Sequence, residues 1–91
     1  MNIKLSGNLA RFMGYAREMS IDVEPQDTVK SVILKIISLH PDLRAVVLDG
    51  QGQVKKSFLV SLNGEKLSVD SLDVNVNNHD ELDVFTAIAG G

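Results

Sequence analysis

The chain contains no cysteine. That excludes a disulfide, a thiolate metal site and a cysteine nucleophile, so any sulfur the protein handles must be carried on something other than a side chain. Tryptophan is also absent, and the aromatics are limited to Phe12, Tyr15, Phe58 and Phe85. The nine Lys and Arg residues are scattered along the sequence and the net charge is −3. A nucleic-acid surface needs basic residues interleaved with stacking aromatics, and this composition does not supply one. No apolar run approaches the roughly 18 residues of a membrane span. The opening Met1-Asn2-Ile3-Lys4-Leu5 lacks the charged segment and long apolar stretch of a secretory signal, so a soluble, cytoplasmic protein is expected. With 91 residues there is room for one small domain and none for a second, catalytic one.

What is present reads as alternating strands around one helix. Ile3 and Leu5, with Leu9 beyond them, start a period of two, and Met19, Ile21 and Val23 repeat it against Ser20, Asp22 and Glu24. Gly14 tolerates the positive φ that a loose hairpin connection over 10–16 would use. Glu24-Pro25-Gln26-Asp27 ends the second strand, and Asp27 or Thr28 can cap a helix. Val29, Val32, Ile33, Ile36 and Ile37 then fall at i, i+3, i+4, i+7 and i+8, one buried stripe. So many β-branched residues lower intrinsic helix propensity, which leaves packing on a sheet to hold the helix. Pro41 disfavours helical geometry at His40 and stops it near Leu39 or His40.

After Pro41 a short helical turn follows, with Leu43, Val46 and Val47 inward, and Asp49-Gly50-Gln51-Gly52-Gln53 makes a turn. Phe58, Val60 and Leu62 alternate into a third strand ending at Asn63-Gly64, a strong signal for a two-residue hairpin, and Lys66-Leu67 begins the return. Ser68 to Asn78 connects, with Leu72, Val74 and Val76 expected as inward anchors before a turn over 77–80. The last strand runs from Glu81 to about Ala87, Leu82 and Val84 on one face and Asp83, Phe85 and Ala87 on the other. The sum is an α+β fold of β-grasp, ubiquitin-like type: a mixed sheet, one main helix across one face, and a flexible C-terminal tail. Residues 1–86 form the domain and 87–91 the tail, which leaves a rigid platform if the first and last strands pair in the centre of the sheet.

The last two residues are Gly90-Gly91, and with glycine at about 7% of average composition a chance pair is on the order of one chain in two hundred. Two residues without Cβ make a thin tail that can thread a narrow channel and present a bare carboxylate. A frayed end is the plainer alternative. Phe85, if it points outward, is an apolar residue beside the point where the tail leaves, suited to a partner contact.

Four segments, taken in order, resemble the molybdopterin synthase small subunit and its ubiquitin-like sulfur-carrier relatives: 49–54 (DGQGQV), 58–65 (FLVSLNGE), 78–85 (NHDELDVF) and 87–91 (AIAGG). Glu24-Pro25-Gln26-Asp27-Thr28-Val29 is similar to the helix entry of ubiquitin. The resemblance implies a terminal carboxylate on Gly91 that a ubiquitin-activating-type enzyme adenylates with ATP and that is then converted to a thiocarboxylate. It implies delivery of the sulfur inside the synthase large subunit to a pterin precursor of the molybdenum or tungsten cofactor. Phe85, Ala87, Ile88, Ala89 and Gly90 would then contact or thread the partners, which are the adenylating enzyme, the large subunit and a sulfur donor, with no bound cofactor and no metal in this chain. Relatives often carry a proline pair ahead of the last residues; Thr86-Ala87 stands here, so a more mobile tail is expected. The alternatives are a protein modifier joined to lysines through Gly91, or a sulfur carrier for thiamine synthesis or tRNA thiolation.

The remaining constellations have plain structural readings. Asp73, Asp80, Glu81 and Asp83 could dock a basic surface or simply form a solvated turn, and their spacing does not fit a calcium loop. His40 and His79 lack further zinc ligands. Gly50 and Gly52 are not followed by a helix, so they do not form a phosphate cradle. No serine sits in a nucleophile elbow, and the chain offers no catalytic residues of its own beyond its terminus.

Overall fold

The computed structural model describes residues 1–5, 18–55 and 58–86. Leu9, the connection over 10–16 and the tail residues Ala87, Ile88, Ala89, Gly90 and Gly91 lie outside the described residues. The elements are β1 (Asn2–Leu5), β2 (Glu18–Ser20), α1 (Val29–Leu39), a 3-10 turn (Pro41–Leu43), α2 (Arg44–Val47), β3 (Phe58–Leu62), β4 (Glu65–Leu67) and β5 (Glu81–Thr86). They build one five-stranded sheet in the order β2-β1-β5-β3-β4. β1 lies parallel to β5, with Ile3 beside Leu82 and Leu5 beside Val84, while β5 is antiparallel to β3. The first and last strands therefore meet in the centre, and the chain fits the β-grasp expectation.

The inward residues of each strand follow from the period of two. Ile3, Leu5, Val60, Leu82 and Val84 are buried together with the helix stripe Val29, Val32, Ile33, Ile36 and Ile37, and with Leu43, Val47, Leu48, Val54, Phe58, Leu72 and Val76 they form a single core. At roughly 25 cal/mol per Å² of apolar surface removed from water, this burial is the dominant favourable term holding α1 to the sheet. A helix this rich in valine and isoleucine would be marginal alone.

The helix entry is tied down by several groups. Thr28 is the N-cap: its Oγ1 accepts from the Ser31 amide at 3.2 Å, and the Thr28 amide donates to Ser31 Oγ at 2.8 Å. Val29 and Lys30 amides donate to the carbonyls of Val74 (3.0 Å) and Leu72 (2.9 Å) in the connection between β4 and β5. With these bonds the first-turn amides have partners, so this N-terminus offers no ready site for an anion. At the other end His40 caps α1, donating its amide to Ile36 at 2.9 Å, and Pro41 opens the 3-10 turn.

Two expectations are corrected. Val74 is exposed rather than an inward anchor, at 39% of its accessible surface. Its carbonyl is committed to the helix amide of Val29 and the flanking Asn75 bridges Thr28, which fixes the backbone so that Leu72 and Val76 face the core, while Val69 packs against its margin. The second strand is also shorter than Met19–Val23. Its ladder with β1 ends where β1 begins: the Ile21 amide donates to the Met1 carbonyl at 3.0 Å, and Val23 bonds instead to the Asn78 side chain. Ile21 and Val23 remain buried all the same.

Candidate site: the tail-bearing strand and its open face

β5 is the strand that runs to the C-terminal tail, and it is the most supported one in the sheet, flanked by β1 and β3. Its start is clamped. The Asn63-Gly64 turn has φ of 52° and 86°, which suits a type I′ hairpin, and asparagine tolerates the positive φ because its short polar side chain bonds to nearby groups. Asn63 Oδ1 accepts from the Glu81 amide at 2.9 Å, Asn63 Nδ2 donates to Asp80 Oδ1 at 2.9 Å, and the Asn63 amide donates to the Glu81 carbonyl at 2.8 Å. Sequence reasoning read Asn63-Gly64 as a turn only; the Asn before Gly was the one signal, and nothing in the sequence said that it also clamps β5.

Away from the helix the register sets out rows across the sheet. Glu18, Lys4, Asp83, Ser61 and Lys66 stand side by side, and one step nearer the tail Phe85 faces Leu59. Phe85 and Leu59 are both half-buried. Phe85 thus falls on the face opposite the helix, as its alternation suggests, and Leu59 joins it as a second apolar residue that sequence reasoning passed over. Thr86 pairs with Phe58, so the strand is laddered to its last described residue.

The acidic residues expected to cluster are largely spoken for. Lys4 Nζ is 2.9 Å from Glu81 and 4.0 Å from Glu18, and the hydrogen bond it donates to Glu81 raises the Lys4 pKa above its ordinary value. Asp80 accepts from Asn63 and from the Asn77 amide at 2.9 Å, holding the turn before β5. Asp73 sits apart, exposed in the connection that touches the helix entry. Asp83 keeps one carboxylate oxygen buried without a partner among the described residues. His79 donates its amide to Asn77 Oδ1 at 2.8 Å within the same turn. Gly50 and Gly52 lie in a loop held by Asp49, whose Oδ1 accepts from Gln51 at 2.8 Å and Gln53 at 3.0 Å; those amides lower its pKa. No group of three or more potential metal ligands occurs among the described residues, and no helix there is long and apolar enough to cross a membrane.

A ubiquitin-like fold whose central strand carries the C-terminus matches what known proteins show. Residues 3–91 match the ThiS family, and the chain belongs to that family of ubiquitin-like sulfur carriers and modifiers. The crystal structure of SAMP1 from Haloferax volcanii is 30% identical with a TM-score of 0.88, covering 100% of this chain and 98% of that one. A crystal structure of H. volcanii small archaeal modifier protein 1 is 28% identical with a TM-score of 0.87, covering 97% of each chain. A putative molybdopterin converting factor, subunit 1, from Pyrococcus furiosus shares the fold at 18% identity and a TM-score of 0.76, covering 96% of this chain and 95% of that one. No curated protein matches the sequence.

Proposed function

We propose that the protein is a carrier whose working group is the Gly91 carboxylate, loaded and unloaded by other proteins, and that its first role is sulfur delivery in molybdopterin synthesis as the synthase small subunit. The observation that carries the reading is the placement of β5: central in the sheet, clamped at its start by Asn63 and leading straight into Ala87-Ile88-Ala89-Gly90-Gly91. A strand paired with β1 as far as Val84 and with β3 as far as Thr86 gives the tail a fixed starting point, and the glycines leave the acyl carbon open to attack.

A carboxylate is a poor electrophile because oxide would have to leave. In the proposed first step a Gly91 oxygen attacks the α-phosphorus of ATP held by an adenylating enzyme, pyrophosphate departs, and a mixed anhydride with AMP forms. A hydrosulfide-type nucleophile then attacks the acyl carbon, the bond to AMP breaks, and a thiocarboxylate remains. The chain's own residues orient and dock: Phe85 and Leu59 give the apolar contact nearest the tail, and Glu18, Glu81 and Asp83 share that face with Lys4 and Lys66. In the synthase the large subunit receives the tail and the pterin precursor takes the sulfur. Intact mass of the C-terminal peptide from cells holding the adenylating enzyme tests this: a species about 16 Da heavier is expected. An unmodified terminus throughout the population overturns it.

A second reading, a protein modifier that forms isopeptide bonds with lysines, is favoured by the likeness to the small archaeal modifier protein 1 of H. volcanii at 28% identity. Both readings share the adenylation step. Isolation under denaturing conditions separates them, since a ladder of covalent conjugates belongs to the modifier and a single thiocarboxylated species to the carrier.

A further inference from the structure

Asn63-Gly64 is the one Asn-Gly pair in the sequence. An asparagine followed by a residue without Cβ is chemically labile, because the next backbone nitrogen has an unhindered path to the side-chain carbonyl carbon. The structure leaves that nitrogen available. Gly64 is exposed, a Cβ built on it would meet no atom within 4 Å, and its amide donates to no group among the described residues. Asn63 is exposed as well.

What restrains the reaction is the clamp on β5. Asn63 Oδ1 accepts from the Glu81 amide and Nδ2 donates to Asp80 Oδ1, both at 2.9 Å, so the carboxamide has to swing out of two bonds before its carbon reaches Gly64. The bond to Asp80 is charge-assisted and is the stronger of the two. Asp49-Gly50 offers a contrast. It has the same glycine, but Asp49 Oδ1 accepts from the Gln51 and Gln53 amides at 2.8 and 3.0 Å, which keeps the group ionised, and a carboxylate would have to expel oxide. The same attack on Asn63 expels ammonia.

We infer that Asn63 is a modification site, where spontaneous deamidation, gated by the bond to Asp80, releases the start of the tail-bearing strand. The Gly64 nitrogen gives its proton to solvent base and attacks Asn63 Cγ; the new C–N bond closes a succinimide ring, the Cγ–Nδ2 bond breaks, and ammonia leaves with a proton taken from water. Water then adds to either ring carbonyl and opens the ring to aspartate or isoaspartate. Either product carries a carboxylate where a donor faced Asp80, so attraction becomes like-charge repulsion. Isoaspartate also adds a carbon to the main chain of a turn whose two residues set the pairing of Leu62 with Glu65. The step needs only water and is independent of adenylation at Gly91.

Purified full-length protein held folded in mildly alkaline buffer, sampled over days, is the test. Trypsin releases residues 57–66, in which Asn63 is the one asparagine or glutamine, so a gain of about 1 Da there can come from no other amide. That gain over the zero-time sample is expected, with part of it accepting a methyl group from S-adenosylmethionine through a protein-isoaspartate methyltransferase. Asp80→Ala should raise its rate roughly tenfold, since the bond removed is charge-assisted. In Asn63→Asp, hydrogen exchange at the Glu81 amide should be about tenfold faster than in the wild type, while the buried Val32 of α1 stays protected. A peptide that keeps its mass, a rate unchanged in Asp80→Ala, or a rise matched by faster exchange at Val32 of that variant overturns the inference. So does an unchanged Glu81 amide in Asn63→Asp.

Discussion

The entry of α1 and the tail-proximal end of the sheet's open face are built on opposite plans. At the helix entry, Asp27 is buried and accepts from the Glu24 amide at 2.8 Å, from Ser31 Oγ at 2.9 Å and from Lys35 at 2.5 Å, directly beside the Thr28 cap. At the other place Phe85 and Leu59 are half-buried with apolar surface left over, and β5 continues past them into the tail. A small domain has limited surface to bury, so polar groups that close on themselves mark the part that maintains the fold. Apolar groups that do not close mark the part left for a partner.

The sharpest way to break this contrast is at the terminus. Appending residues after Gly91 should abolish thiocarboxylate formation, read by intact mass, while the urea midpoint stays put; full modification of the extended chain would remove the distinction. Next in size, Ile33→Ala empties a buried position between helix and sheet and should cost about 2–5 kcal/mol in urea unfolding. Phe85→Ala should act the other way round: stability shifts little, and the KM for the protein with its adenylating enzyme rises about tenfold, worth about 1.4 kcal/mol of binding. A stability loss with unchanged KM would place Phe85 with the core. Thr28→Ala removes the cap and should lower stability by about 1 kcal/mol with no effect on adenylation.

The smallest effect is in the pH profile. The Glu24 amide, then Lys35 and Ser31, hold the Asp27 pKa down at about 2 from 3.8. A depressed carboxylate stabilises the fold above its unfolded pKa, so this contribution is whole at neutral pH and is lost as pH falls from about 4 through about 2. Denaturation midpoints measured across that window should fall more steeply in the wild type than in Asp27→Asn; parallel curves would refute the tie.

Much of this was legible in the sequence because periodicity reports burial. The stripe from Val29 to Ile37, the alternation of Leu82 and Val84 and the Asn63-Gly64 turn each correspond to an element in the structure. Val74 misled for a physical reason: in a connection with no regular period, backbone bonds to the helix entry decide which way side chains point, and those bonds join residues far apart in the chain. The side-chain clamp of Asn63 on Glu81 and the neighbourhood of Leu59 and Phe85 are likewise products of strand register, which pairs residues 18 and 26 positions apart and leaves no local trace. The acidic run near β5 was visible as composition, but its pairing with Lys4 depended on β1 lying beside β5.

The central claim is that the terminal carboxylate is the reacting group and the folded body only holds and presents it. ATP–pyrophosphate exchange by the adenylating enzyme, run with the intact chain and with a chain lacking Gly91, tests that most directly. Saturable exchange is expected with the intact chain and none above background with the shortened one. Equal exchange in both would contradict it.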